Sequence, residues 1–294
     1  MKFEYVWTED DLRLMGAHYP GKDTCVIGVH GMSGNVIENF FTNVLGERLA
    51  EKGIGFIYAH NRGYSHINDI ATKPINKKDN GWNFKRVGVV YELFEDSLKD
   101  ITAWVAKARE LGYSKIILLG HSLGSNKTIY YLYKNPSEDI AGVILASPPD
   151  LVGSAQVKYS ENHKKLLLQA QAFVAQGQPR ELLDGQLWNW YKLSAQTYLS
   201  LFQEGGAAHN LPYATKPEKF EQLASLTQPI LIVAGEYDDI KINNLKEEME
   251  LIKTKAISSS DVQIEFIEGG NHNYENRENA FAETILKWVE NKYA

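Results

Sequence analysis

In Lys115-Ile116-Ile117-Leu118-Leu119-Gly120-His121-Ser122-Leu123-Gly124-Ser125 an apolar run passes directly into a G-x-S-x-G pentapeptide, and a helical pattern follows to Tyr133. The spacing predicts a buried strand over Lys115 to Leu119, a helix over Ser125 to Tyr133 and a sharp turn between them. Such a turn lifts the serine hydroxyl clear of the backbone. Gly120 and Gly124 lack the Cβ atoms that would collide where the strand and helix pack closely. The start of the helix offers unpaired N–H groups and the positive end of its dipole. Ser122 is therefore a candidate nucleophile.

Working outward, strands and helices alternate. Thr24 to Val29 reads as a buried strand, followed by a helix over Ile37 to Lys52 with Phe40, Phe41, Val44, Leu45 and Leu49 at helical spacing. Gly55 to Ala59 is a strand, and Tyr91 to Leu111 an amphipathic helix with Leu93, Ile101, Val105 and Ala108 inward. Ile140 to Ala146 is a strand stopped by Ser147-Pro148-Pro149. The pattern resumes with a strand over Pro229 to Val233, a helix over Ile242 to Ile252, a strand over Val262 to Ile267 and a helix over Phe281 to Lys292. This is the order of a parallel sheet covered by helices on both faces. Lys2 to Trp7 and Leu12 to Tyr19 flank Glu9-Asp10-Asp11 and predict an antiparallel hairpin. Between 151 and 226 the pattern changes to a helix over His163 to Ala175 and an aromatic segment over Leu187 to Phe202, read as a helical insertion. The connection 62–90 is long for such a fold, and long loops are usually functional or mobile.

Composition narrows the function. The chain has 294 residues, 44% hydrophobic and 23% charged, which is ordinary for a globular protein. A net charge of -6 argues against a nucleic-acid partner. The single cysteine, Cys25, excludes an intrachain disulfide and a Cys-rich metal site. The first residues hold no apolar stretch of signal-peptide length, and no apolar run approaches the ~20 residues that span a bilayer, so a cytoplasmic location and no membrane span are expected. No repeat or low-complexity tract is present.

A serine hydroxyl needs a base, and the base an orienting carboxylate. With the nucleophile on such an elbow, the partners follow in the order Ser, acid, His. The strand ending at Val233 runs into Ala234-Gly235-Glu236-Tyr237-Asp238-Asp239, and the strand ending at Ile267 runs into Glu268-Gly269-Gly270-Asn271-His272. Both lie past the carboxyl ends of strands, where open α/β sheets place their sites. His272 is the expected base. Glu236, Asp238 and Asp239 share one loop. Asp238, three residues after Gly235, is preferred as the acid, then Asp239. His121 is expected to pack beside the elbow, His163 lies on the insertion helix and His209 in a Gly/Ala loop, and His18, His60 and His66 have no nearby acid motif. Acyl transfer also needs two N–H donors for an oxyanion. Leu123, after the nucleophile, supplies one, and Met32 in His30-Gly31-Met32-Ser33-Gly34 the other. No histidine pair has metal-ligand spacing and no phosphate loop appears.

Together these motifs resemble the α/β-hydrolase fold serine hydrolases of the esterase and lipase superfamily. His30-Gly31, Gly120-x-Ser122-x-Gly124, Gly235-x-x-Asp238 and Gly270-x-His272 fall where that superfamily keeps its oxyanion loop, nucleophile, acid and base. Asn61-Arg62-Gly63-Tyr64-Ser65 is similar to its Arg-Gly loop, without the second glycine. The resemblance implies a mostly parallel eight-stranded sheet flanked by helices, with a core of 1–150 and 227–294 and a helical cap of 151–226 after the sixth strand. It implies a serine hydrolase that cleaves carboxylic esters of small or medium apolar or aromatic acyl groups through an acyl-enzyme, with a small-molecule ester as partner and no cofactor or metal. Leu166, Leu167, Leu168, Phe173, Trp188, Trp190 and Tyr191 could line the acyl pocket, although packing against the core is the commoner use of such residues; Trp188 and Trp190 are the substrate-binding candidates. Thioester or amide cleavage is the alternative, with Glu161, Glu181 or Asp184 available to hold a substrate amine. A non-catalytic ligand-binding homologue is the other.

Overall fold

The computed structural model describes residues 1–73, 83–136 and 140–293. Among the described residues ten strands form, in chain order β1 (Lys2–Trp7), β2 (Arg13–Tyr19), β3 (Thr24–Val29), β4 (Gly55–Ala59), β5 (Asn68–Thr72), β6 (Asn83–Val87), β7 (Lys115–His121), β8 (Ile140–Ala146), β9 (Ile230–Gly235) and β10 (Val262–Ile267). Eight of them make one sheet in the order β1-β2-β4-β3-β7-β8-β9-β10. Only β1–β2 and β2–β4 are antiparallel; β4–β3, β3–β7, β7–β8, β8–β9 and β9–β10 are parallel.

The continuous apolar character of β3, β7 and β8 has a simple cause. Alternate side chains point to opposite faces, and both faces are covered. Ile117 and Leu119 pack toward α1 (Phe41–Glu51) and α9 (Glu278–Tyr293), against Phe41, Leu45, Phe281 and Ile285. Ile116 and Leu118 share the other layer with α2 (Ser97–Glu110), α3 (Leu123–Lys134) and α8 (Leu245–Lys255), through Trp104, Ile129 and Ile252. Between β8 and β9 the chain forms α4 (Leu151–Lys158), α5 (Ser160–Ala175), α6 (Ala195–Phe202) and α7 (Glu221–Ala224). A third apolar cluster joins Leu166, Leu187, Tyr198 and Phe202 of this insertion to Leu123, Tyr130, Val90 and Phe94 of the sheet-bearing part. Among the described residues no helix is long and apolar enough to cross a membrane.

Several boundaries differ from the sequence reading. The first helix starts at Phe41, not Ile37, because the Asn35 side chain accepts the N–H groups of Ile37 and Glu38, both at 3.0 Å, and holds the preceding residues in a turn. Residues 91–93 are not helical; a 3-10 turn over Phe94–Asp96 leads into α2 at Ser97. In the aromatic segment only Ala195–Phe202 is helical, after Ser194 caps it and after left-handed residues at Trp188 and Asn189. The connection 62–90 contains the β5–β6 hairpin, attached to the β1–β2 turn by a bridge between Leu12 and Thr72; its middle, 74–82, lies outside the described residues. Helix α4 went unread; Asp150 caps it by accepting the Gly153 N–H at 2.7 Å, and its other oxygen takes the Ala214 N–H at 3.0 Å.

Arg62 joins three of these pieces. Only 2% exposed, it reaches Asp10 of the β1–β2 turn at 2.8 Å, Asp96 before α2 at 3.0 Å and the fully buried Asp100 of α2 at 2.8 Å. A planar guanidinium meets three carboxylates in a way that a lysine ammonium cannot. Removing one partner of a buried ionic cluster leaves uncompensated charge, at a cost of about 3–5 kcal/mol. Arg62→Ala is expected to lose that much in urea unfolding, with Arg62→Lys between it and the wild type; a loss under about 1 kcal/mol would contradict the role given to this cluster.

Candidate active site

Ser122 sits between β7 and α3 with φ 54° and ψ −129°, a left-handed backbone that a side-chain-bearing residue rarely adopts. The turn is held from both sides: the Ser122 N–H donates to the Ala146 carbonyl at 2.9 Å, and the Ser125 N–H to the Ser122 carbonyl at 2.8 Å. Any Cβ at position 124 would overlap the Val29 carbonyl, and one at 120 the backbone of Gly124. The glycines thus let the start of α3 cross directly over the end of β3. A Cβ at Gly31 would lie 2.8 Å from the Ser122 Cβ and 3.2 Å from its hydroxyl, so the loop after β3 runs against the serine.

That loop is pinned at its upstream end. The buried His30 accepts the Asn61 N–H at Nε2, 2.9 Å, and its Nδ1 donates to the Gly31 carbonyl at 2.7 Å. Burial holds the ring well below its ordinary pKa, so it stays neutral and keeps both roles. Met32 follows and lines a cleft of about 290 Å³ together with Ser122, His272, Trp190, Tyr191 and Asn273. Leu123 opens α3, where the first-turn N–H groups have no carbonyl partner within the helix.

His272 lies in the loop after β10, and its Nδ1 is 2.9 Å from Oδ1 of Asp238 in the loop after β9. Asp238 is fully buried and also accepts the Ile240 N–H at 3.1 Å. The carboxylate can only accept, so Nδ1 carries the proton and Nε2 is the basic nitrogen of the neutral ring. Burial pulls the His272 pKa down, but the Asp238 charge and hydrogen bond outweigh it and raise the value above 6.5. For Asp238, burial pushes up, but the His272 charge and hydrogen bond, with hydrogen bonding from Ser147 and the Ile240 N–H, together outweigh it, so the carboxyl stays below the ordinary range. The two loops cross closely. The Tyr237 N–H donates to the Gly270 carbonyl at 2.8 Å, and Gly235 faces that carbonyl with no room for a Cβ.

Asp239 is exposed, while its carboxylate comes within 4.8 Å of the ligand atoms of Asp238 and His272. A metal bound by these three would have to displace the Asp238–His272 hydrogen bond. Trp190, half exposed, lines both the cleft and an adjoining apolar recess; Trp188 lines only the recess, with Met32, Leu187, Tyr198 and Phe202, and the recess leaves only about 10 Å³ free.

Three supporting hydrogen bonds were absent from the sequence reading, which placed His121 only as packing beside the elbow and Tyr191 only as a possible pocket residue. His121 donates from Nε2 to the His272 carbonyl at 2.8 Å, and burial, with the His272 ring beside it, lowers its pKa to about 4, which keeps it a neutral donor. Ser147, left-handed at the end of β8, shares a 2.8 Å hydrogen bond with the Tyr274 hydroxyl two residues past His272. Tyr191 donates its hydroxyl to Ser33 at 2.8 Å. The left-handed backbone after β8 has no sequence signature at a serine, and the other two contacts join residues far apart in the chain. Chemically, a buried carboxylate, an imidazole and a partly buried serine on a sharp strand-to-helix turn, with the imidazole and the serine lining one cleft, form a set able to activate a hydroxyl as a nucleophile.

Solved structures similar to this chain include Est1E from Butyrivibrio proteoclasticus, 16% identical over 99% of each chain with a TM-score of 0.60. The esterase Pf2001 of Pyrococcus furiosus is 15% identical over 100% of this chain and 91% of its own, with a TM-score of 0.63. A soluble variant of monoglyceride lipase from Saccharomyces cerevisiae is 14% identical over 98% and 95%, with a TM-score of 0.67. At such identities the likeness establishes the fold, which is that of the α/β-hydrolases. No protein of curated function matches the sequence. Residues 94–291, more than half of the chain, match the family described as "Protein of unknown function (DUF1749)", and the chain belongs to that family.

Proposed function

We propose that the protein is a serine hydrolase cleaving carboxylic esters of small or medium apolar or aromatic acyl groups. The observation that carries this reading is the 2.9 Å pairing of His272 with the buried Asp238, at the same cleft that receives the Ser122 elbow. The esterase and lipase names of structural neighbours support the same reaction class.

In this mechanism Ser122 attacks the ester carbonyl carbon while Nε2 of His272 takes the hydroxyl proton. Asp238 fixes the tautomer and stabilises the imidazolium. The N–H groups of Met32 and Leu123 bind the oxyanion. His272 then protonates the departing alcohol, leaving an acyl-enzyme, and afterwards takes a proton from the water that hydrolyses it. Each step uses the chain's own residues. Residues 151–226 act as a cap over a core of 1–150 and 227–294, and the recess behind Met32 receives the acyl group. An aminopeptidase would need a carboxylate directed at the bound amine. Glu161, Glu181 and Asp184 are exposed and do not line the cleft, which favours the ester.

Ser122→Ala is expected to lose on the order of 10⁴-fold or more in kcat and to lose fluorophosphonate labelling, with an unchanged melting temperature. Near wild-type hydrolysis by a clean preparation would refute the mechanism.

The acid is tested by substitution and by pH. Asp238→Asn should lower kcat about 10⁴-fold, and Asp239→Asn by less than about tenfold. Because His272 must be neutral to act as base and its pKa is raised, kcat/KM in the wild type should climb through a midpoint above 6.5. In Asp238→Asn the main group that raises the pKa is gone while burial remains and only the weaker pull of Asp239 is left, so residual activity should climb through a lower midpoint. A larger loss in Asp239→Asn would move the acid by one residue.

Truncating Trp188 or Trp190 to Ala should change the ratio of kcat/KM between short and long or aromatic acyl esters by about 1–3 kcal/mol, if the ring lines the acyl site. Variants that lose melting temperature and keep the wild-type ratio would make both tryptophans packing residues only.

A further inference from the structure

The oxyanion loop is tied differently at its two ends. Gly31-Met32-Ser33-Gly34 has glycine on both flanks, so it has little stiffness of its own. Upstream, His30 holds it through the Asn61 N–H and the Gly31 carbonyl, both contacts within the sheet-bearing part of the fold. Downstream, Ser33 is left-handed at φ 54°, and its carbonyl accepts the Ser65 N–H at 2.9 Å. Its side chain is held by something else: the Tyr191 hydroxyl, 2.8 Å away and 158 positions along the chain.

Tyr191 belongs to the irregular segment between α5 and α6. Two left-handed residues, Trp188 and Asn189, shape the chain just before it. Backbone bonds from Leu183 N–H to the Leu193 carbonyl and from Ser194 N–H to the Val90 carbonyl, both 3.0 Å, dock the segment's far end. The tyrosine ring packs edge-on to His66, centroids 4.7 Å apart, and lines the cleft beside Ser122. Burial raises its pKa to about 12, so it remains a hydrogen-bond donor at any working pH.

We infer that Tyr191 is a positioning residue, whose hydroxyl holds Ser33 and thereby aims the adjacent Met32 amide while the 187–194 segment is docked. This rests on the ester-hydrolase reading above and adds to it a link from the cap to the oxyanion hole. Docking of the segment and assembly of the catalytic donors become one event. Chemistry is then favoured when the cleft is covered and water is limited. Loss of a whole oxyanion donor costs 10²–10³-fold in kcat. A donor that is present but poorly aimed costs less, on the order of tenfold.

The test is a double-mutant cycle in the full chain, with p-nitrophenyl butyrate as substrate and a fluorophosphonate as label. Tyr191→Phe keeps the ring on His66 and removes only the hydroxyl; Ser33→Ala removes the acceptor. Each is expected to lower kcat about tenfold with KM within about twofold, and the double variant to be no worse than either single one, since both remove the same contact. Wild-type kcat in Tyr191→Phe, a loss confined to KM, or losses that multiply in the double variant would overturn the inference. A wild-type chain that neither hydrolyses the ester nor takes the label overturns the parent reading as well. An active wild type with an indifferent Tyr191→Phe overturns only the role of Tyr191.

Discussion

Everything at the site depends on one strained residue. A serine at φ 54° costs of order 1–3 kcal/mol against a relaxed backbone, and it persists only where its surroundings leave no alternative. Here the constraint comes from three directions. Ala146 at the end of β8 accepts the Ser122 N–H, Gly124 lies against the last carbonyl of β3, and Gly31 lies against the serine itself. Strand, helix and loop can approach so closely only because three positions have no side chain. Replacing Gly120 or Gly124 would push α3 off the sheet, whereas replacing Gly31 would press on the serine itself.

The parallel sheet supplies the rest of the geometry. With β3, β7, β9 and β10 running the same way, their following loops emerge at one edge of the sheet. The loop of Met32, the elbow of Ser122, the loop of Asp238 and the loop of His272 therefore meet although they are separated by long stretches of chain. Their final alignment is set by polar groups that are themselves buried and neutral, His30 under the Met32 loop and His121 under His272. Burial keeps both uncharged, and for His30 the strut depends on it: a protonated ring could not accept the Asn61 N–H.

This explains what the sequence could and could not reveal. Strand positions were legible because both faces of β3, β7 and β8 are covered, which writes uninterrupted apolar runs. The elbow was legible because steric exclusion requires glycine at 120 and 124. Choosing Asp238 over Asp239 followed from its distance to Gly235, and the structure places the first carboxylate buried beside His272 and the second in solvent. Helix starts were misjudged where a side chain competed with the helix, as Asn35 does before α1. The hydrogen bonds of His121, Ser147 and Tyr191 had no signal, because their partners lie 151, 127 and 158 positions away. A hydrogen bond across such a separation leaves no period and no local motif.

The insertion obeys a different logic from the sheet. Core loops are aimed by the strands that bear them, whereas the segment 187–194 is placed by side chains and a few backbone bonds to distant loops. Its apolar recess is nearly filled by its own residues, with about 10 Å³ left free, while the adjoining polar cleft keeps about 290 Å³. An acyl group larger than a few atoms can enter the recess only if Trp188, Trp190 or their backbone gives way. The tryptophans need move only as far as the acyl group demands, because they sit on irregular backbone with left-handed turns instead of in a packed helix. If the chain is the ester hydrolase proposed above, size selection and loop docking draw on the same short stretch of chain, and an acyl group that displaces it too far would also pull the Tyr191 hydroxyl from Ser33. Under the proposed function, the upper limit on acyl size would be set by the geometry of the Met32 loop as much as by the volume of the recess.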